Sequence, residues 1–172
     1  GDIVEMVADG YIRIVDRKNG LMVLDTGKNV PSNKIEGLFS ISPWVEMVVP
    51  VGSERKFVTA LVVPRFDAFI QLFNEKGMAY NSSAIEYVLE PAPMCVKVGQ
   101  DFVEKEELRR LVDEDIRRAN ESLEEYEQIK RYYIVNRRLS DSLGELTPTL
   151  KVKRRVVLDH FSGEIESMYE AV

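Results

Sequence analysis

Cysteine and histidine are almost missing from this chain: each occurs once, at Cys95 and His160. A single thiol excludes an internal disulfide framework and fits a reducing cytosol. Cys95 and His160 together fall short of the ligand set of a zinc site, so both are expected to be structural. No apolar run approaches the ~18–20 residues that span a bilayer. No secretory signal opens the chain, and neither a repeat nor a low-complexity tract interrupts it. Positive charge is also in deficit. Lys and Arg number 23 against 29 Asp and Glu, a net charge of -6, which argues against a general nucleic-acid binder. What is present, 45% hydrophobic and 30% charged residues in 172, suits one globular domain with room for a small appended lobe. The chain begins on GDIVEM, without methionine, as expected of a piece cut from a longer protein or of a removed tag.

The pattern of turns and apolar residues predicts an α+β fold: a small N-terminal hairpin lobe, then a mainly antiparallel three-stranded sheet packed with helices. Two short strands flank Asp9-Gly10, a hairpin signal, and LMVL and KNV flank DTGK. Residues 1–30 are therefore expected to form the lobe and residues 31–172 the main body. Pro31 fits the first turn of a helix that carries Ile35, Leu38 and Phe39 on one face. The valine-rich stretches WVEMVVPV and KFVTALVVP are expected to pair antiparallel. Phe66, Phe69, Ile70 and Phe73 make a helical stripe, SSAIEYVLE reads as a short helix, and PAPMCVKVGQ as a loop. The longest helix is predicted from Leu108 through Tyr126, supported by Glu106–Arg110, Asp113–Arg117 and Glu114–Arg118 at i, i+4 spacing. QIKRYYIV reads as a third strand. A polar loop, NRRLSDSLGELTPT, leads to two last helices.

Three places exceed what folding alone requires. Asp2, after Gly1, has a carboxylate that can accept from both hydroxyls of a ribose, although Gly-Asp also serves in ordinary turns. In VDRKNG, residues 15–20, Asn19-Gly20 suits a tight hairpin turn or a hinge that absorbs a backbone rotation. Arg17 there is a donor fork for ribose or phosphate oxygens. In ELTPTLKVKRR, residues 145–155, Lys151 sits between a Thr-Pro-Thr loop and a basic run. It is either a solvated surface charge or a mobile cation suited to phosphate and carboxylate oxygens.

Taken in order, GDIVEMVADGYIRIVDRKNGLMVLDTGKNVPSNKIE resembles the segment that opens the small C-terminal domain of the AMP-forming adenylating enzymes. That superfamily contains the acyl-CoA synthetases, the adenylation domains of peptide synthetases and the firefly-type luciferases. ELTPTLKVKRR resembles their C-terminal lysine loop. DRKNGLMVLDTGKNV and LTPTLKVKR are most similar to the long-chain fatty acid–CoA ligase branch. Other branches tend to carry a small residue and glycine where this chain has Thr149-Leu150, and Asp or Lys at the hinge where it has Asn19.

The resemblance implies a ligase that joins a carboxylate to the α-phosphate of ATP, with Mg²⁺ assisting, and then passes the acyl group to coenzyme A. It implies that Asp2 and Arg17 hold the AMP ribose, that Lys151 contacts the reacting oxygens in the first step, and that Asn19 is the hinge. After rotation, the segment around Gly27 would approach the coenzyme A thiol. The chain is then a lid domain whose main partner is its own N-terminal domain, where most of the ATP and fatty-acid contacts lie. Alone it is expected to be inactive. A cytoplasmic location is expected, with peripheral membrane contact left open, and no metal-ligating residue is assigned within the chain. Two other readings stay open: an adenylating enzyme that loads a carrier protein, and a free-standing module whose basic loop binds an acidic partner.

Overall fold

The computed structural model describes residues 2–6, 10, 12–17 and 20–170, with residues 2–6 and 12–17 described through their backbone. Strands β1 (Asp2–Met6) and β2 (Ile12–Arg17) pair antiparallel, with a bulge at Ile3/Val4. Strands β3 (Leu21–Val23) and β4 (Asn29–Pro31) form a second hairpin. Met22, Leu24 and Val30 from this hairpin are buried in the same core as the main sheet. Helix α1 (Ser32–Gly37) buries Ile35 as expected, but Pro31 is its N-cap rather than part of its first turn, and it ends before Leu38 and Phe39.

The main sheet has the order β5 (Val45–Val51), β6 (Val58–Pro64), β9 (Ile129–Ile134). Strands β5 and β6 are antiparallel, as their valine-rich alternation across a short turn implies. The α+β class and the three strands are as expected; the direction of the third strand differs, because β9 runs parallel to β6. Parallel neighbours need a long crossover, and the helical segment between Pro64 and Ile129 supplies it. Every residue of β6 is buried, which is typical of a central strand covered on both faces.

Helix α2 (Phe66–Glu75) buries Phe66, Phe69 and Phe73, one stripe at helical spacing. Phe73 meets Phe102 at 4.9 Å between ring centroids, and Trp44 meets Phe69 at the same separation. Phe102 belongs to a single helical turn, α3 (Gln100–Val103).

The predicted short helix at residues 82–90 and the loop after it are instead a 3₁₀ turn (Ser82–Ala84) followed by a hairpin, β7 (Glu86–Val88) and β8 (Met94–Lys97). The reason is non-local. The amide of Arg138 donates to the Val96 carbonyl, and the Arg138 guanidinium to that of Cys95. The segment after β9 thus supplies partners that keep β8 extended.

Helix α4 (Glu106–Asn120) buries Leu108, Val112, Ile116 and Ala119. It stops six residues before the predicted end at Tyr126, because the Asn120 amide group bonds both the N–H and the C=O of Ile129. Of the three expected pairs, Asp113–Arg117 forms. Arg110 bonds Glu107 and Glu114 instead, and Arg118 bonds Asp115. Helices α5 (Arg154–His160) and α6 (Ser162–Glu170) close the chain, burying Val157, Ile165 and Met168. No described helix is long and apolar enough to cross a membrane.

Candidate functional site

Lys151 lies at the tip of a narrow hairpin that precedes α5. Three rungs build it. Lys153 N–H donates to Glu145 C=O (2.8 Å), Leu146 bridges Val152, and Thr147 N–H donates to Lys151 C=O (2.8 Å). The tip is Pro148, Thr149 and Leu150, closed by Leu150 N–H on Thr147 C=O (2.8 Å). The Thr147 hydroxyl accepts from Lys151 N–H at 3.0 Å. Leu150 has φ 63°. A three-residue hairpin loop ending in a left-handed residue is a common solution, usually filled by glycine at that position. Lys151 is exposed, and among the described residues no carboxylate is paired with its ammonium.

The root of this hairpin is a buried carboxylate. Glu145 is fully buried. Arg137 grips it with both guanidinium nitrogens at 2.8 and 2.9 Å, the Ser140 amide donates at 3.0 Å, and His160 Nδ1 lies 2.9 Å away. Arg137 also stacks over Phe161, 4.8 Å from the ring centroid. Burial would raise the carboxyl pKa, but the hydrogen bonds from Arg137, His160 and Ser140 outweigh it and hold Glu145 below the ordinary carboxylate value. Sequence reading places the Lys151 loop but misses this root. Arg137 and Glu145 are only eight apart in a turn-rich segment, and His160 reads as incidental. The available signal was an acidic residue opening the otherwise basic ELTPTLKVKRR.

At the other end of the chain, the β1–β2 register sets Asp2 directly opposite Arg17. Asn19 lies outside the described residues. Its neighbour Gly20 has φ 55°, and a Cβ there would run into the Ser32 hydroxyl, while its carbonyl accepts from Ser32 N–H at 2.9 Å. The main chain just after residue 19 is therefore anchored to the start of α1. Strand β2 also approaches α5, the helix that follows the Lys151 hairpin.

Gly27 occupies a second hairpin tip with the same bonding. Gly27 N–H donates to Leu24 C=O and Leu24 N–H to Lys28 C=O, both at 2.9 Å, and Gly27 has φ 86°. Nothing lies within 4 Å of where its Cβ would be. This tip is tied to the β5–β6 turn, through Asp25 N–H on Arg55 C=O (2.9 Å) and Glu54 N–H on Val23 C=O (2.8 Å).

The basic run beyond Lys151 is less solvated than its composition suggests. The Arg154 side chain is 14% exposed and bonds Glu36 and the Pro50 carbonyl. Beside it, Arg55, Arg154, Arg155, Asp159 and Glu166 line an open cleft of about 460 Å³. Cys95 is buried, and burial, with the Asp67 carboxylate nearby, pushes its thiol up to about 11. Such a thiol is not a nucleophile at neutral pH. Among the described residues no group of three or more His, Cys, Asp or Glu could hold a metal ion.

Residues 89–172 match the family model described as the AMP-binding enzyme C-terminal domain. Among curated proteins, the long-chain-fatty-acid–CoA ligase FadD15 of Mycobacterium tuberculosis is 28% identical over 169 residues, covering 98% of this chain and 26% of its own length. The long-chain-fatty-acid–CoA ligase 6 of Mus musculus is 31% identical over 171 residues, covering 98% of this chain and 22% of its own. The chain thus spans about a quarter of the length of these relatives. Among solved structures, the adenylation domain of a carboxylate reductase from Mycobacterium chelonae superposes with a TM-score of 0.63 at 20% identity, covering 98% of this chain and 22% of that one. That likeness establishes the fold.

Proposed function

We propose that this chain, whose residues 89–172 match the AMP-binding enzyme C-terminal domain family, is the lid of a fatty acid–CoA ligase. In this reading the whole enzyme activates a carboxylate with ATP and transfers the acyl group to coenzyme A. The similarity to fatty-acid–CoA ligases along 98% of the chain supports the assignment. The observation that carries the mechanistic part is the presentation of Lys151: exposed, at the tip of a hairpin pinned by backbone bonds, with no carboxylate on its ammonium among the described residues.

In the first step a carboxylate oxygen attacks the α-phosphorus, and the bond to the pyrophosphate oxygen breaks. Two anions must approach, and negative charge spreads over the phosphoryl oxygens. A cation held between them stabilises that charge with no reorganisation cost at the moment of reaction. Lys151 supplies it. Asp2 accepts from the ribose hydroxyls and Arg17 donates at the same sugar; the residue types fit, since a carboxylate accepts and a guanidinium only donates. Magnesium would travel with the ATP phosphates, and no residue of this chain is assigned to it.

In the second step the thiolate of coenzyme A attacks the acyl carbonyl and AMP leaves. Rotation about Asn19 withdraws Lys151 and brings the Gly27 tip forward. Residues before the hinge would stay with the large domain, and residues from 20 onward would turn as one body. One geometry therefore need not serve two different transition states.

The experiment is Lys151→Ala in the full-length enzyme. Fatty-acid-driven ATP–pyrophosphate exchange should fall roughly 10²–10³-fold, the usual loss for one preorganised charge stabiliser. Thioester formation from supplied acyl-adenylate should survive. Equal losses in both half-reactions, or none in the first, would sink the assignment.

A further inference from the structure

We infer that Glu145 is the positioning residue of the Lys151 hairpin, setting the direction in which the lysine is presented. The inference rests on the role proposed for Lys151.

Both main-chain groups of Glu145 and its side chain are committed. Its N–H donates to Ser140 C=O (2.9 Å), and its C=O accepts from Lys153 N–H (2.8 Å). Its carboxylate collects four donors from three places: Arg137 in the segment after β9, Ser140 in the loop, and His160 on α5. Above it, the Leu146/Val152 and Thr147/Lys151 rungs follow without a break. The side-chain bonds of the tip residues Thr147 and Thr149 stay within the tip, and Leu150 is 69% exposed. The direction of Lys151 is therefore inherited from the root, and the root is oriented by the Glu145 carboxylate.

Stability alone explains this arrangement poorly. Burying a carboxylate such as Glu145, even against a partly exposed Arg137, is often no more stabilising than apolar side chains of the same volume, because desolvation offsets the attraction. A planar carboxylate gripped by a planar guanidinium does, however, fix an angle as well as a distance. A greasy root would hold the hairpin in place without holding its direction, and small misplacements of a catalytic group are costly.

The test uses the full-length enzyme and two readouts, ATP–pyrophosphate exchange and thioester formation from supplied acyl-adenylate. Glu145→Gln keeps the size of the side chain and removes its charge. Exchange should fall ~10–100-fold, in the range of a misplaced catalytic group, and thioester formation should stay within about twofold. In a Lys151→Ala background the same substitution should change exchange by less than about twofold, because a residue that acts through Lys151 has nothing left to position. Parallel loss of both half-reactions, or an undiminished effect in the Lys151→Ala background, would overturn the inference. So would wild-type exchange by Glu145→Gln. Where Glu145→Gln unfolds the domain, His160→Ala removes one donor and is held to the same pattern with a smaller loss of about threefold. Lys151→Ala alone keeps the two claims apart. Without a loss from it, the proposed function fails; with that loss and an additive Glu145→Gln, only the positioning role fails.

Discussion

Asp2 and Arg17 stand opposite each other across the β1–β2 ladder although fifteen positions apart in the chain, and they form its end rung. If, as proposed, they also share the ribose, they should not act independently. Asp2→Ala and Arg17→Ala are each expected to raise the ATP KM of the full-length enzyme about tenfold, the effect of one lost hydrogen bond to a charged group. The double variant should fall short of the product of the two. Full multiplication in steady-state kinetics would mean that the two side chains serve separate sites.

The two hairpin tips differ at one comparable position. Gly27 and Leu150 both have left-handed φ, 86° and 63°, but only glycine takes that conformation without strain. Leu150→Asn should raise the unfolding free energy of the isolated chain, measured by urea denaturation, by about 0.5–1 kcal/mol, because asparagine tolerates this region. Gly27→Ala should lower it by about 1 kcal/mol through the backbone alone, since nothing lies within 4 Å of the added methyl. In the full-length enzyme Gly27→Ala should reduce thioester formation more than adenylation. Equal reduction would remove coenzyme A from the account of this tip.

The hinge assignment predicts a contrast between adjacent positions. Asn19→Pro should impair thioester formation more than adenylation, because a fixed φ hinders the rotation between the two steps. Gly20→Ala should weaken folding, with both half-reactions falling together, because its Cβ meets the Ser32 hydroxyl and its φ is left-handed. An unaffected overall rate in Asn19→Pro would leave residue 19 as a turn only.

The depressed pKa of Glu145 has a defined sign in stability. Its folded value lies below the ordinary 4.5, so the carboxylate stabilises the fold fully above that pH. The contribution is lost as pH falls through the folded value. Arg137 and His160 are the charged or titratable side chains bonded to it. The stability gap between wild type and Glu145→Gln, measured by urea denaturation, should shrink as pH falls from about 5 toward 3. A gap that widens on acidification would contradict the assignment.

Cys95 offers a probe of global unfolding. Buried and with its thiol pushed up to about 11, it should resist a thiol reagent at pH 7.5 in the folded chain and react fully in denaturant. Rapid labelling of the native protein would show that the β7–β8 region opens locally.

The sequence by itself determined the elements whose signals are local. The DTGK turn, the valine-rich strands, the Phe66–Phe73 stripe and the period of α4 depend on neighbours a few positions away, and they form where the pattern puts them. The motifs at the two ends of the chain were equally legible, because the chemistry they resemble lies in contiguous residues. Only the tertiary structure decided the rest. Strand β8 exists because Arg138 reaches it across 43 positions, α4 stops because Asn120 finds Ile129, and β9 joins β6 in parallel. Arg154 reads as solvated surface until Glu36 and Pro50 approach it. The same is true of Glu145 with Arg137 and His160. A buried carboxylate is stable only when donors from separate elements converge on it, and that convergence leaves no periodic trace in the chain.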